Sequence, residues 1–176
     1  DPLVEQRPFS ELPQARYFPS PLGIMSHRTG WDTTTTGNAA VCQMFVREYH
    51  TGNHAHLDHG HFDLYYRGML TGQSGNYQTD YRSGYKTDHA RTYYRRSIAH
   101  NTVLIHDPDE PLPSWREKSR DGGAFPRKSG EFDSLDELLA VGSNAEVLKW
   151  EIAPGLAPDY SYLKGDLNNG YNVPEY

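Results

Sequence analysis

Four of the chain's nine histidines fall within Asn53-His54-Ala55-His56-Leu57-Asp58-His59-Gly60-His61-Phe62, and a fifth, His100, stands before Asn101 in a strand-like run. If the stretch is extended, alternate side chains share a face, so His54, His56 and Asp58 point one way and His59 and His61 the other. Two imidazoles and a carboxylate on one face suit proton transfer, metal ligation or both. The remaining histidines, His27, His50, His89 and His106, together with His59 and His61, are expected to be structural or exposed.

The elements that must hold these residues are marked by turn signals. Pro13, Pro19 and Pro21 punctuate an irregular lead-in over 1–22, after which 23–28 reads as a first strand. A second strand is expected over 40–50, and the alternation of Phe62, Leu64 and Tyr66 with Asp63, Tyr65 and Arg67 predicts short strands between 61 and 70. Residues 98–105 read as a further strand, and 107–130, rich in proline, glycine and charge, as a long surface loop. Ser134-Leu135-Asp136-Glu137 fits a capping box opening a helix that Gly142 ends after about two turns. Strands are expected again over 146–152 and 160–165. The pattern predicts an all-β, antiparallel β-sandwich rather than alternating strands and helices.

Composition narrows the function classes. A net charge of −6 and a pI near 5.8 argue against a nucleic-acid surface. No apolar run is long enough to span a bilayer, and no signal peptide opens the chain. The single cysteine, Cys42, permits no internal disulfide and is expected to be a small buried residue. Hydrophobic content of 36% and mean hydropathy of −0.80 predict a modest core. With the abrupt ends at Asp1-Pro2 and Pro174-Glu175-Tyr176, this suggests a piece of a larger protein.

Against this acidic background the segment 77–96 stands out. Tyr77, Tyr81, Tyr85, Tyr93 and Tyr94 are interleaved with Arg82, Lys86, Arg91, Arg95 and Arg96. Arginine forks bind carboxylates and sulfates, and tyrosine faces pack on sugar rings, so a polyanionic carbohydrate is the expected ligand class.

Several spaced motifs together resemble one family. Asn53-His54-Ala55-His56-Leu57-Asp58 with Gly60 and Phe62, then Tyr66-Arg67-Gly68-Met69-Leu70, Ser74-Gly75 and Arg96-Ser97-Ile98-Ala99-His100-Asn101-Thr102, resemble the β-sandwich domain of the heparinase II/III polysaccharide lyases. Met25-Ser26-His27-Arg28-Thr29-Gly30-Trp31-Asp32 is similar to the family's entry strand, and Tyr160-Ser161-Tyr162-Leu163-Lys164-Gly165-Asp166 to the heparinase II branch.

The resemblance implies that residues 1–176 are part of such a β-sandwich, within a larger lyase that also carries an N-terminal α/α toroid. It implies β-elimination of a uronic-acid-containing, heparin- or heparan-sulfate-like glycosaminoglycan, in a periplasmic or secreted enzyme. The same match implies that His54 takes part in proton transfer, while a tyrosine and a carboxylate-neutralising residue come from the toroid. His56 and His100 are then ligands of a bound Zn²⁺, and Gln73 stands where the family has an aspartate. A neutral amide is a weaker donor, so weaker zinc binding, replacement by Asp58 or a different divalent ion are all open. Tyr77, Tyr85, Arg96 and Asn101 are the expected substrate contacts. The expected partners are the acidic polysaccharide and the toroid, with neither nucleic acid nor membrane, and a homo-oligomer is compatible with them. Two other classes stay open: a non-catalytic carbohydrate-binding sandwich, and a cupin-like metalloenzyme using His-x-His on a barrel strand.

Overall fold

The computed structural model describes residues 8–49, 55–75, 87–109, 121–124 and 132–171. Strands β1 (Ala15–Phe18), β2 (Ile24–Arg28), β3 (Ala40–Phe45), β4 (His61–Tyr66) and β5 (Met69–Thr71) form an antiparallel meander in chain order. Strands β6 (Glu146–Ile152) and β7 (Ser161–Asp166) form a separate antiparallel hairpin. The all-β expectation holds, with antiparallel sheets and little helix, as in a sandwich domain.

Register decides what each sheet face carries. Ser26 pairs with Gln43, Gln43 with Asp63, and Phe45 with His61, so these five residues share one face. Tyr17 and Met25 pair with each other, as do Ala15 and His27, on the opposite face. The β6–β7 hairpin lies over that second face. Trp150 stacks on Tyr17 with ring centroids 4.7 Å apart, and His27 Nδ1 hydrogen-bonds Ser161 Oγ at 2.8 Å. The first face, bearing His61 and Asp63, meets the segment around His100, where the Asn101 amide donates to His61 Nδ1 at 3.0 Å.

The capping box forms as its residues predict. In α1 (Leu135–Ala140), Ser134 Oγ accepts from the Glu137 amide at 3.2 Å and Glu137 Oε2 accepts from the Asp133 amide at 3.0 Å. Gly142, at φ 77°, supplies the left-handed residue that follows the helix.

Four expectations need correction. The lead-in over 1–22 contains β1, because the prolines at 13 and 19 flank Ala15–Phe18 rather than interrupt it. Strand β3 stops at Phe45, where Val46 is followed by Arg47 at φ 59° and extension ends. Residues 98–105 contain no strand. Ser97–Ala99 is a 3₁₀ turn in which the Ala99 amide donates to Arg96 and the His100 amide to Ser97. A π-type turn, Ala90–Tyr94, precedes it, with Thr87 Oγ1 accepting from the Ala90 amide at 3.1 Å. Lastly, the stretch 107–130 is not all surface loop, since Gly122, Gly123 and Ala124 are buried; much of the remainder lies outside the described residues.

The core is small and polar in character. Among the described residues, the largest fully buried side chains are Arg96, Tyr94, His59, His61, Val46, Asp58 and Ser97, and seven of the other buried apolar residues are alanines. Leu135, Leu139, Leu148 and Trp150 are exposed. Burying so many polar groups is tolerable only where they are paired, so the hydrogen bonds around 57–63 and 95–102 hold this region together. Cys42, expected inside, is exposed. Among the described residues, no helix is long and apolar enough to cross a membrane.

Candidate functional site

Three chain segments are fastened at Ser97. Its Oγ donates to the Leu57 carbonyl at 2.6 Å and accepts from the Ala124 amide at 2.8 Å, while the Leu57 amide donates to the Arg95 carbonyl at 2.8 Å. One residue earlier, Arg96 forks onto Asp121, with Nη2 to Oδ1 at 2.6 Å and Nε to Oδ2 at 3.1 Å. Asp121 Oδ1 also accepts from the Gly123 amide at 2.9 Å. These bonds set His56, the residue before Leu57, against His100, three residues after Ser97.

The rings then form a cluster. The centroids of His56 and His100 are 5.1 Å apart, those of His61 and His100 5.4 Å, and those of His56 and Tyr94 5.9 Å. Tyr94 is held in place by Gly75, where an added Cβ would lie 2.4 Å from the Tyr94 Cα. His100 is 7% exposed, and neither of its ring nitrogens has a hydrogen-bond partner in good geometry among the described residues. Burial, reinforced by the neighbouring His56, His61 and Arg47, pushes its pKa down to about 3 against a weak opposing pull from the Tyr94 backbone. His100 is therefore a neutral imidazole at ordinary pH, the form that ligates metals.

The fit of these residues to a metal can be judged donor by donor. Two imidazoles on one tetrahedral ion, with metal–nitrogen distances near 2 Å, have ring centroids about 5 Å apart, which the His56–His100 spacing meets. The third donor is the weak point. Gln73 lies between Gly72, whose carbonyl accepts from Asn101 Nδ2, and Ser74, whose amide donates to the Ala99 carbonyl, so its backbone runs beside His100; its side chain is exposed. Asp58 cannot replace it, because its Oδ2 is 3.1 Å from Arg47 Nη2 and the carboxylate is buried in that ion pair. Nor can His61, whose Nδ1 accepts from the Asn101 amide and whose Nε2 therefore carries the proton donated to Asp63 Oδ1 at 2.9 Å. Among the described residues no group of three His, Cys, Asp or Glu side chains is placed to hold an ion.

Other expected site residues fare differently. His54, Tyr77 and Tyr85 lie outside the described residues. Arg96 is not presented to a ligand: it is 2% exposed and paired with an equally buried carboxylate. Asn101 spends its amide nitrogen on the carbonyls of Phe62, at 2.9 Å, and Gly72, at 3.4 Å, so it ties β4 to the chain after β5. The alternating-face picture of 54–61 also fails, because residues 55–60 are irregular and Asp58 and His59 are consecutive yet both buried. A cupin-type arrangement, with His56 on a barrel strand, loses its basis for the same reason.

The roles of His61, Asp63, Tyr94 and Arg47 in the cluster are not among those expected from sequence. His61 with Asp63 had a signal, the period-2 placement that puts both on one face of β4. Tyr94 and Arg47 had none, since their roles depend on Gly75 and Asp58, each distant in sequence.

A search of curated proteins finds no match to this chain. A family model described as heparinase II/III-like, C-terminal, matches residues 26–146. That span takes in the end of β2, all of β3 to β5, the fastened histidine segments and α1. It covers more than half of the sequence, and the chain belongs to the heparinase II/III-like C-terminal domain family.

Proposed function

We propose that the chain is the β-domain of a polysaccharide lyase that cleaves a uronic-acid-containing glycosaminoglycan, heparin- or heparan-sulfate-like, by β-elimination. The reading is carried by the family match over 26–146, within which the Asn53–Phe62 histidine stretch falls. In such a reaction the proton at C5 of the uronate passes to a base, the C4–O bond breaks as the C4–C5 double bond forms, and the leaving oxygen takes a proton. His54 serves as one of the two proton-transfer groups, for which an imidazole near its ordinary pKa is suited. A tyrosine and a carboxylate-neutralising group come from an N-terminal helical domain, so the site is shared, and Tyr77 and Tyr85 serve as substrate contacts. A periplasmic or secreted location fits such a substrate.

The proposal is tested by incubating the full-length protein with uronate polymers and following the ultraviolet absorbance of the unsaturated uronate product. Product absorbance is the expected result. Polymer binding without any product, across heparin, heparan sulfate and unsulfated uronates, would leave a non-catalytic carbohydrate-binding domain instead.

His56 and His100, with Gln73 as a weak third donor, would hold a divalent ion such as Zn²⁺. Bound there, the ion would hold the 55–60 and 97–101 segments together, since ligation couples to folding. Replacing both histidines by alanine is expected to abolish zinc uptake by metal analysis and to lower Tm. Gln73→Asp is expected to tighten zinc binding, a carboxylate being the better donor. Equal zinc content in the double variant and the parent protein would dismiss the site.

A further inference from the structure

Arg47 combines three features that a simple counter-ion does not need. Its backbone sits at φ 59°, the left-handed region that non-glycine residues other than asparagine and aspartate rarely occupy. Its side chain reaches from a buried partner to the surface: Nη2 lies 3.1 Å from Asp58 Oδ2, which is 3% exposed, while the arginine side chain is itself 40% exposed. The guanidinium carbon stands 5.1 Å from the Phe45 ring centroid, and Phe45 stacks on His61, so the group is braced against the histidine cluster.

A left-handed turn after β3 could be made without strain by glycine or asparagine. Retaining arginine there gives the site a positive group fixed on its inner side by a carboxylate and a ring, and open on its outer side. Guanidinium donors in a fixed plane match the oxygens of a carboxylate or a sulfate. We propose that Arg47 is a substrate-binding residue that holds an oxyanion of the acidic sugar beside the His56–His100 cluster. The inference rests on the lyase reading for its substrate, and it replaces Arg96, which the fold has sealed inside, as the arginine that meets the polyanion.

The test compares the full-length protein with its Arg47→Asn/Asp58→Asn variant. Asparagine accepts the left-handed backbone, and removing both charges together avoids stranding a buried carboxylate. With Tm close to that of the parent, KM for the uronate polymer is expected to rise at least about tenfold while kcat changes little, the signature of lost binding rather than lost chemistry. A rise on both sulfated and desulfated polymer identifies the uronate carboxylate as the bound group; a rise on sulfated polymer alone identifies a sulfate. Unchanged KM on both in the folded variant would overturn the inference and leave Arg47 as the counter-ion of Asp58. Calorimetric binding of a uronate oligosaccharide separates the two readings. If the parent protein has no lyase activity, weaker binding by the variant still supports Arg47, and equal binding overturns it.

Discussion

His54→Ala in the full-length protein lowers kcat by at least about a hundredfold while KM changes little, because a group that acts in proton transfer contributes to the transition state and little to ground-state binding. The expectation combines its place in the Asn53–Asp58 motif with the proposed β-elimination. Without a positioned imidazole, one of the two proton transfers must be made by water, and the loss falls on the chemical step. His54→Gln, which keeps a hydrogen-bonding side chain of similar reach but cannot exchange a proton near neutrality, should be as poor as His54→Ala. Initial rates of unsaturated product formation over a range of polymer concentration give both constants. Turnover within a few-fold of the parent in both variants would show that the proton moves through another residue.

The sheet was largely legible in the sequence and the site only partly so, for identifiable physical reasons. Period-2 alternation over 61–66 and the capping box at Ser134 are local signals, and both elements form where those signals stand. The run 98–105 has the apolar residues of a strand but does not form one. The backbone there turns at Ser97–Ala99, and the Ser97 hydroxyl is engaged with Leu57 and Ala124, partners 40 and 27 residues away that no local pattern announces. Meeting of His56 and His100 was legible only through resemblance, because their approach depends on that same hydroxyl. A charged residue in a basic, aromatic run reads as a surface contact, whereas Arg96 is buried against Asp121, 25 residues on. The weakly hydrophobic composition is also accounted for: among the described residues, much of what fills the interior is polar.

The Arg96–Asp121 pair is where the largest loss of stability is expected. Both side chains are almost wholly buried, at 2% and 3% exposure, and bonds of 2.6 and 3.1 Å join the guanidinium to the carboxylate. Removing one member of such a pair takes a counter-charge from the other in a low-dielectric setting, which costs about 3–5 kcal/mol. Asp121→Ala is therefore expected to lower the unfolding free energy by about that amount, measured by denaturant titration. The loss should spread to the histidines, since the same carboxylate also accepts from the Gly123 amide beside Ala124, which bonds Ser97. Loosening that contact frees Leu57 and with it His56, so zinc uptake should weaken along with stability even though neither ligand is altered. Arg96→Met combined with Asp121→Leu removes both charges at similar volume and should recover most of the loss, as buried pairs exchanged for apolar groups commonly do. If Arg96 instead met the substrate, Arg96→Lys would raise KM at unchanged Tm; the buried fork leads us to expect the reverse, a lower Tm with KM unaltered in the molecules that remain folded.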